Sequence, residues 1–235
     1  MSSLSFENHI LGNSYPGRGI IIGSSADSKE IWQFYWIMGR SPNSRNRIFE
    51  AEGNILSTKA ADPAKCEDPS LVIYKAMLET DKQFIVSNGD QTQTVFDALK
   101  KGSSFETALN SREREPDAPN YTPRISALVS LEAEPKFTFS IIKANSANAD
   151  ISDRNYYYKN EIAPGTGYCI TTYLGDGNPI PSFDGEPYSV SLPSDKDEAL
   201  QKIWNALDPD NKVSLALKSI NLESAKSEIK IINKY

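Results

Sequence analysis

Three arginines lie close together in the segment 39–47, which reads GRSPNSRNR. Arg40, Arg45 and Arg47 stand among Ser, Asn and Pro residues directly after an apolar run. A guanidinium group binds phosphate or carboxylate through two parallel hydrogen bonds, and Ser and Asn add neutral donors. The segment therefore predicts an anion site, although a solvated turn has the same composition.

A second polar segment, 87–92 (SNGDQT), follows a short apolar run and precedes a helical pattern. Gly89 allows a backbone to approach a ligand closely or to take a positive φ. The first turn of the helix offers free N–H groups to an anion. Asp90 is also a common type of helix cap, so a purely structural role fits equally well.

A third polar segment precedes an apolar run that begins at Arg124. It contains two carboxylates, Glu115 and Asp117, followed by Asn120. A carboxylate held near an arginine and an amide is suited to acid–base catalysis. The alternative is a polar loop whose charges pair with one another.

The composition excludes several classes of site. The 235 residues contain 25 Lys and Arg against 31 Asp and Glu, a net charge of −6 that disfavours duplex nucleic acid or an anionic membrane as partner. The single His9 and the isolated Cys66 and Cys169 supply no typical zinc set, disulfide framework or Ser-His-Asp triad. We expect a protein without metal or cofactor. The chain shows neither a membrane-length apolar run nor a recognisable secretory signal, so we expect it in the cytoplasm.

The elements that would position these residues are mostly strands that come in pairs. Apolar and alternating patterns predict strands at 19–23, 31–38, 47–51, 54–58, 83–86, 124–131, 136–143, 168–173, 212–220 and 228–232. Helical spacing predicts one helix after Asp68 and Pro69 that carries Leu71, Tyr74 and Leu78, and others around 95–99, 105–109 and 200–207. Paired strands with grouped helices favour an α+β fold with layered antiparallel sheets, in a single domain over 1–235.

Two further segments have open roles. His9 is expected at the surface in an unstructured start. Residues 163–187 hold five Gly and four Pro around a short strand, which is typical of a rim or lid and also of a surface connector.

The order of several motifs resembles the archaeal-type inosine monophosphate (IMP) cyclohydrolase family. The motifs are the arginine segment 40–47, PSLVIY (69–74), VSNGDQT (86–92), NYTPRI (120–125) and YCITTY (168–173), over about residues 17–220. The resemblance implies a four-layer αββα sandwich similar to the N-terminal-nucleophile hydrolases, but without an N-terminal nucleophile. It also implies closure of the purine ring, from the formamido-imidazole-carboxamide ribonucleotide to IMP with loss of water.

The same resemblance assigns roles to individual residues. It places Arg47, Tyr74 and Glu115 at catalytic positions. It places the following residues in substrate-binding motifs, the first two less securely because the loop lengths differ: Arg40, Arg45, Asn88, Gly89, Asp90, Asn120, Thr122 and Arg124.

Two other functions remain open from the sequence. One is a related enzyme of the same fold that acts on another nucleotide or amide, and the other is a non-catalytic nucleotide-binding module. The expected partner is a purine-precursor nucleotide rather than a nucleic acid or a membrane, and a homo-oligomer is left open.

Overall fold

The computed structural model describes residues 5–66, 69, 71–132 and 135–235. It contains two antiparallel sheets and a few short helices. The strands are β1 (Gly19–Ser24), β2 (Glu30–Met38), β3 (Arg47–Glu52), β4 (Ile55–Ala60), β5 (Lys75–Glu79), β6 (Gln83–Ser87), β7 (Arg124–Ser130), β8 (Lys136–Ala144), β9 (Ser152–Lys159), β10 (Thr166–Thr171), β11 (Tyr188–Ser191), β12 (Lys212–Asn221) and β13 (Ser227–Asn233). The α-helices are α1 (Phe6–His9), α2 (Pro42–Arg45), α3 (Gln91–Lys100), α4 (Phe105–Asn110) and α5 (Lys196–Ala206).

The first sheet has six strands in the order β11-β10-β1-β2-β12-β13, and the second has seven in the order β3-β4-β5-β6-β7-β8-β9. Side chains from both sheets form one large core, which includes Trp36, Leu215, Phe84 and Phe139. Because β1 and β2 are buried almost without interruption, their sequences read as continuous apolar runs. The α+β prediction with layered antiparallel sheets is confirmed.

The helices cover the sheets. Apolar residues of α3 and α4, among them Val95 and Phe105, pack on Ile85 and Leu128 of the seven-stranded sheet. On the other sheet α5 contacts β12. The longest helix has 11 residues, and within the described ranges no helix is long and apolar enough to cross a membrane.

The predicted helix after Pro69 is wrong. Residues 71–72 form a turn, and Lys75–Glu79 is the strand β5, which pairs with β4 and β6. Its residues Ala76 and Met77 join the core between the sheets, whereas Leu78 packs under α3 and α4. A strand buried on both faces has no polar alternation, so its apolar spacing imitates a helix. Asp68, which directly precedes that predicted helix together with Pro69, lies outside the described residues.

The expectation for His9 is also wrong. His9 lies on α1, is 4% exposed and has its Nε2 atom 2.9 Å from Thr171 Oγ1. The rings of Phe183 and Tyr188 lie 5.6 and 5.2 Å from it. Burial lowers the pKa of His9 to about 4, so the imidazole is neutral at pH 7. Helix α1 is therefore packed against β10 and β11 of the six-stranded sheet.

Candidate active site

A cavity of about 350 Å³ lies where several strands of both sheets end. Its walls come from the segment before β1, the end of β2, the α2 loop, residues 71–72, the loop before β7 and the segment after β10. The lining residues are Tyr15, Arg18, Met38, Arg40, Ser41, Asn43, Ser44, Arg47, Leu71, Val72, Glu115, Asp117, Asn120, Thr122, Tyr173 and Ile180. Two of the three polar segments noted in the sequence thus meet here.

Arg47 provides a fixed hydrogen-bond donor at this cavity. It is 2% exposed, its Nε donates to Ser44 O at 2.8 Å and one Nη2 proton goes to Met38 O at 3.0 Å. Its Nη1 atom is buried and has no hydrogen-bond partner among the described residues. A buried cationic donor without an acceptor is costly, so an arginine held this way is suited to receive an anionic or carbonyl oxygen.

Glu115 and Arg18 form a buried ion pair in the same cavity. Arg18 Nη2 lies 3.2 Å from Glu115 Oε2, and the two side chains are 11% and 3% exposed. Burial raises the pKa of the Glu115 carboxyl, while the charges of Arg18 and Arg124 oppose this rise. A carboxyl with a raised pKa holds a proton more readily than an exposed one, which suits it to acid–base catalysis.

Arg18 was missed by the sequence analysis. It lies between two glycines directly before β1, and this is the signal that could have revealed it. A Cβ at Gly19 would fall 1.9 Å from the Trp36 ring, and Gly17 has a φ of +74°. Both positions therefore need glycine. The backbone on either side of Arg18 is closely packed, and this fixes the position of the Arg18 Cα atom.

Tyr74 lies behind the lining and is 7% exposed. Its hydroxyl is 2.6 Å from the hydroxyl of Tyr35, which is fully buried on β2. The hydroxyls of both tyrosines also lie in the field of Arg18. Burial lowers the pKa of Arg18, but Glu115, Tyr74, Tyr173 and Tyr35 together raise it well above the ordinary value. Tyr74 thus lies within electrostatic range of Arg18 but is not one of the residues that line the cavity.

The predicted substrate-binding residues divide into two groups. Arg40, Asn120 and Thr122 line the cavity. Arg40 forms an ion pair with Asp176 at the rim, and Asn120 Oδ1 accepts a hydrogen bond of 3.0 Å from Ile180 N. The Gly- and Pro-rich segment 163–187 thus forms part of the cavity rim.

The other five predicted binding residues are outside the lining. Arg45 donates to Gly39 O and Asn211 Oδ1 and borders a different groove. Asn88 bridges β6 to β7 through Pro123 O and Ile125 N, both within 2.9 Å. Their role as ligand contacts stays a prediction.

Asp90, Gly89 and Arg124 form a group behind Glu115. Arg124 Nη1 lies 2.8 Å from both Asp90 Oδ1 and Gln91 Oε1, and its Nε donates to Glu113 O. A Cβ on Gly89 would lie 2.8 Å from Arg124 Nη1, so glycine is needed for this approach. The group holds the loop that carries Glu115 and places the Arg124 charge near its carboxyl.

The residues present suggest an anionic, oxygen-rich ligand rather than a metal. Three arginines, Arg18, Arg40 and Arg47, share the lining with the two carboxylates Glu115 and Asp117. No group of three or more His, Cys, Asp or Glu side chains in the described part of the chain could hold a metal ion. A wider groove of about 780 Å³ elsewhere has no buried, unpartnered polar atom among its described lining residues.

Comparison with known proteins identifies the family of this chain. The chain is 28% identical, over 175 residues, to a protein from Methanothrix thermoacetophila named IMP cyclohydrolase, and the match covers 73% of this chain and 80% of that protein. Residues 15–224 match a family described as IMP cyclohydrolase-like protein. This match includes every residue of the cavity lining, and by it the chain belongs to the IMP cyclohydrolase-like family.

Proposed function

We propose that this protein is an IMP cyclohydrolase, an enzyme of the cyclic amidine hydrolase class (EC 3.5.4.10). It closes the ring of 5-formamidoimidazole-4-carboxamide ribonucleotide to give IMP and water, a step of purine biosynthesis. Family membership supports the reaction. The observation that carries the proposal is the convergence of Arg47, with its unpartnered Nη1, and the buried Arg18–Glu115 pair at one cavity.

The reaction needs positioning, an oxyanion partner and a proton carrier. The carboxamide nitrogen attacks the formyl carbon, a C–N bond forms and the formyl oxygen receives a proton from that nitrogen. The resulting hydroxyl leaves as water with the proton of the formamido nitrogen, which makes the ring C=N bond. Holding the two groups in contact removes much of the entropic barrier.

We assign the roles as follows. Arg47 and Tyr74 donate to the formyl oxygen while negative charge develops there. Glu115 carries the proton from the carboxamide nitrogen toward the departing oxygen, and Arg18 keeps its carboxyl ionisable despite burial. No electrons are transferred, so the proposal names no cofactor. The partner is a purine-precursor nucleotide.

The finer architecture is part of the same proposal. We infer that α3 and α4, the two sheets and α5 form four layers in one domain over 1–235, similar to the N-terminal-nucleophile hydrolases. Support comes from the helices packed on each sheet and from the one core between them. The proposed active site uses no N-terminal nucleophile.

The test is direct turnover. Purified protein is incubated with the formamido nucleotide, and the ultraviolet spectrum of hypoxanthine is followed against the uncatalysed reaction. We expect IMP to form with wild-type protein and far more slowly with Glu115→Gln. Binding of the nucleotide without turnover would indicate a non-catalytic binding module and contradict the proposed reaction.

A further inference from the structure

Three side chains in the cavity wall form a hydrogen-bonded row: Tyr173, Thr122 and Asp117. The Tyr173 hydroxyl lies 2.5 Å from Thr122 Oγ1. The same Thr122 oxygen contacts Asp117 Oδ2, and Thr122 N donates to Asp117 Oδ1 at 2.7 Å. Within the described ranges, the Tyr173 hydroxyl forms its hydrogen bond with Thr122.

The protons in this row have one consistent arrangement. An ionised carboxylate only accepts, so the single hydroxyl proton of Thr122 goes to Asp117. The Thr122 oxygen can then only accept from Tyr173, which donates its own proton to it. The phenol therefore keeps its proton on the side away from the ligand. Burial raises the pKa of Tyr173, so the phenol remains neutral and the arrangement persists at ordinary pH.

We propose that Tyr173 determines specificity by presenting an oxygen lone pair, and not a proton, to the bound nucleotide. It selects a hydrogen-bond donor of the ligand, either a ring or carboxamide N–H or a ribose hydroxyl. Thr122 and Asp117 are positioning residues that act through Tyr173. This inference rests on the proposed function in one respect, that the ligand is a purine nucleotide.

The role assigned to Tyr173 is opposite to that of Tyr74. To donate its own proton to the formyl oxygen, the Tyr74 hydroxyl must accept the hydrogen bond that it shares with Tyr35. The two hydroxyl oxygens lie 2.6 Å apart. One phenol then donates to the ligand and the other accepts from it. Two tyrosines of opposite polarity, one in the lining and one behind it, would fix the orientation of a ligand that has an acceptor at one end and a donor at the other.

The first experiment compares ligands that differ by one donor. Binding of IMP, 1-methyl-IMP, 2′-deoxy-IMP and 3′-deoxy-IMP is measured by calorimetry with wild type and Tyr173→Phe. We expect one of the three analogues to bind wild type about tenfold more weakly than IMP, the usual value of one hydrogen bond. That difference disappears in Tyr173→Phe. The analogue concerned identifies whether the donor is on the ring or on the ribose.

A steric effect gives a different result from a lost hydrogen bond. A clash of the added methyl group would weaken 1-methyl-IMP equally in both proteins. Tyr188→Phe is the matched control, because Tyr188 is a buried tyrosine that does not line the cavity. We expect Tyr188→Phe to bind IMP and its three analogues with the same relative affinities as wild type. The same discrimination in Tyr173→Phe as in wild type, or none among the analogues in wild type, would overturn the inference.

The second experiment tests the direction of the hydrogen bonds in the row, from Tyr173 to Thr122 and from Thr122 to Asp117. Thr122→Val removes the acceptor of the Tyr173 proton and leaves the phenol free to turn that proton toward the ligand. We expect the tenfold discrimination to be lost, whereas Thr122→Ser retains the hydroxyl and the discrimination. Melting curves identify any misfolded variant. Unchanged discrimination in folded Thr122→Val would contradict the positioning role.

The outcomes also separate this inference from the proposed reaction. If IMP binds with the expected discrimination but the formamido nucleotide is not cyclised, the reaction is wrong and the role of Tyr173 holds. If the formamido nucleotide is cyclised but Tyr173→Phe discriminates among the analogues as wild type does, the reaction holds and the role of Tyr173 is wrong. If wild type binds none of these nucleotides, both are overturned.

Discussion

The ionisation of Glu115 depends on two opposing effects at one carboxyl. Burial raises its pKa, and the positive charge of Arg18 at 3.2 Å lowers it. The same pair lies 97 positions apart in the chain, so no local pattern could have revealed it. Polar neighbours in the sequence single out Glu115 and two flanking glycines mark Arg18, but the pairing of the two could only be found in three dimensions.

Replacing Arg18 should move the pH profile of catalysis. Arg18→Met removes the positive charge that favours the ionised carboxyl, so the pKa of Glu115 rises. The limb of the kcat profile that reports Glu115 then shifts to higher pH by on the order of 1 unit or more. The shift has this sign whether the enzyme needs the ionised or the protonated form. The measurement is kcat against pH for both proteins.

Arg18→Lys is the control for this shift. It keeps a charge near Glu115 but loses the planar guanidinium, so its profile should lie between those of wild type and Arg18→Met. A profile of Arg18→Met that coincides with that of wild type, at reduced kcat, would show that the limb belongs to another group.

Tyr74 and Glu115 should act on one transition state. Tyr74→Phe removes one fixed donor and should lower kcat by about 10², roughly 2.7 kcal/mol. Glu115→Gln should lower it by about 10²–10⁴, as for other acid–base groups. The double variant should lose less than the product of the two losses, because both groups serve the same step. The measurement is kcat for the four proteins, with melting curves as folding control.

Each of these roles has its own contrary outcome. Near-wild-type kcat in Tyr74→Phe would leave Tyr74 as a packing residue hydrogen-bonded to Tyr35. Near-wild-type kcat in Glu115→Gln would remove the proposed proton carrier.

At the scale of elements, patterns of hydrophobicity identified most strands but not which strands pair with one another in the sheets. The run 31–38 is apolar except for Gln33, and β2 is indeed buried on both faces. The same property made β5 and the residues before it resemble a helix, because Leu71, Tyr74 and Leu78 have helical spacing by coincidence. Pairing with β4 and β6 decides the conformation there, and no residue within the segment encodes that pairing.

The docking of α1 depends on a neutral histidine. Thr171 Oγ1 donates to Tyr173 O at 3.0 Å, so it accepts from His9, which carries its proton on Nε2. The sequence predicted an unstructured segment because the burial of His9 depends on Phe183 and Tyr188, which come from the far end of the chain.

Acid should destabilise the protein through His9. Its pKa is about 4 in the folded protein against an ordinary value of 6.5, so the unfolded state binds more protons between these pH values. The free energy of unfolding therefore falls as pH drops from 6.5 to 4, by up to about 3 kcal/mol. His9→Phe should lessen this slope, as measured by urea unfolding across the range. An unchanged slope would assign the acid sensitivity to other groups.

At the scale of the whole molecule, a buried ion pair joins the two sheets. Lys218 of β12 is fully buried, and its Nζ lies 2.5 Å from Glu79 Oε2 of β5 and 2.7 Å from Asn54 O. Burial lowers the pKa of Lys218, and the charge of Glu79 opposes this effect. The prediction of layered sheets was correct from strand order alone, but the contacts between the layers were beyond the sequence.

Breaking this pair on one side should be costly. Glu79→Ala leaves the Lys218 ammonium without its counter-charge in the interior, which destabilises proteins by about 3–5 kcal/mol. Replacing both partners, as in Glu79→Leu with Lys218→Met, should restore most of that loss because no charge remains buried. The measurement is urea unfolding of the three proteins. A double variant no more stable than Glu79→Ala would contradict this interpretation.

The unpartnered Nη1 of Arg47 sets activity against stability. Its N–H group has lost its hydration but has no acceptor until a ligand provides one. This unpaired donor lowers the stability of the ligand-free protein. Arg47→Met removes this donor but also the hydrogen bonds to Ser44 O and Met38 O, so its effects on the melting temperature oppose one another while its turnover collapses. Nucleotide binding should raise the melting temperature of wild type far more than that of the variant. The protein should therefore be most stable with its ligand in place, because the ligand supplies the acceptor that Nη1 lacks.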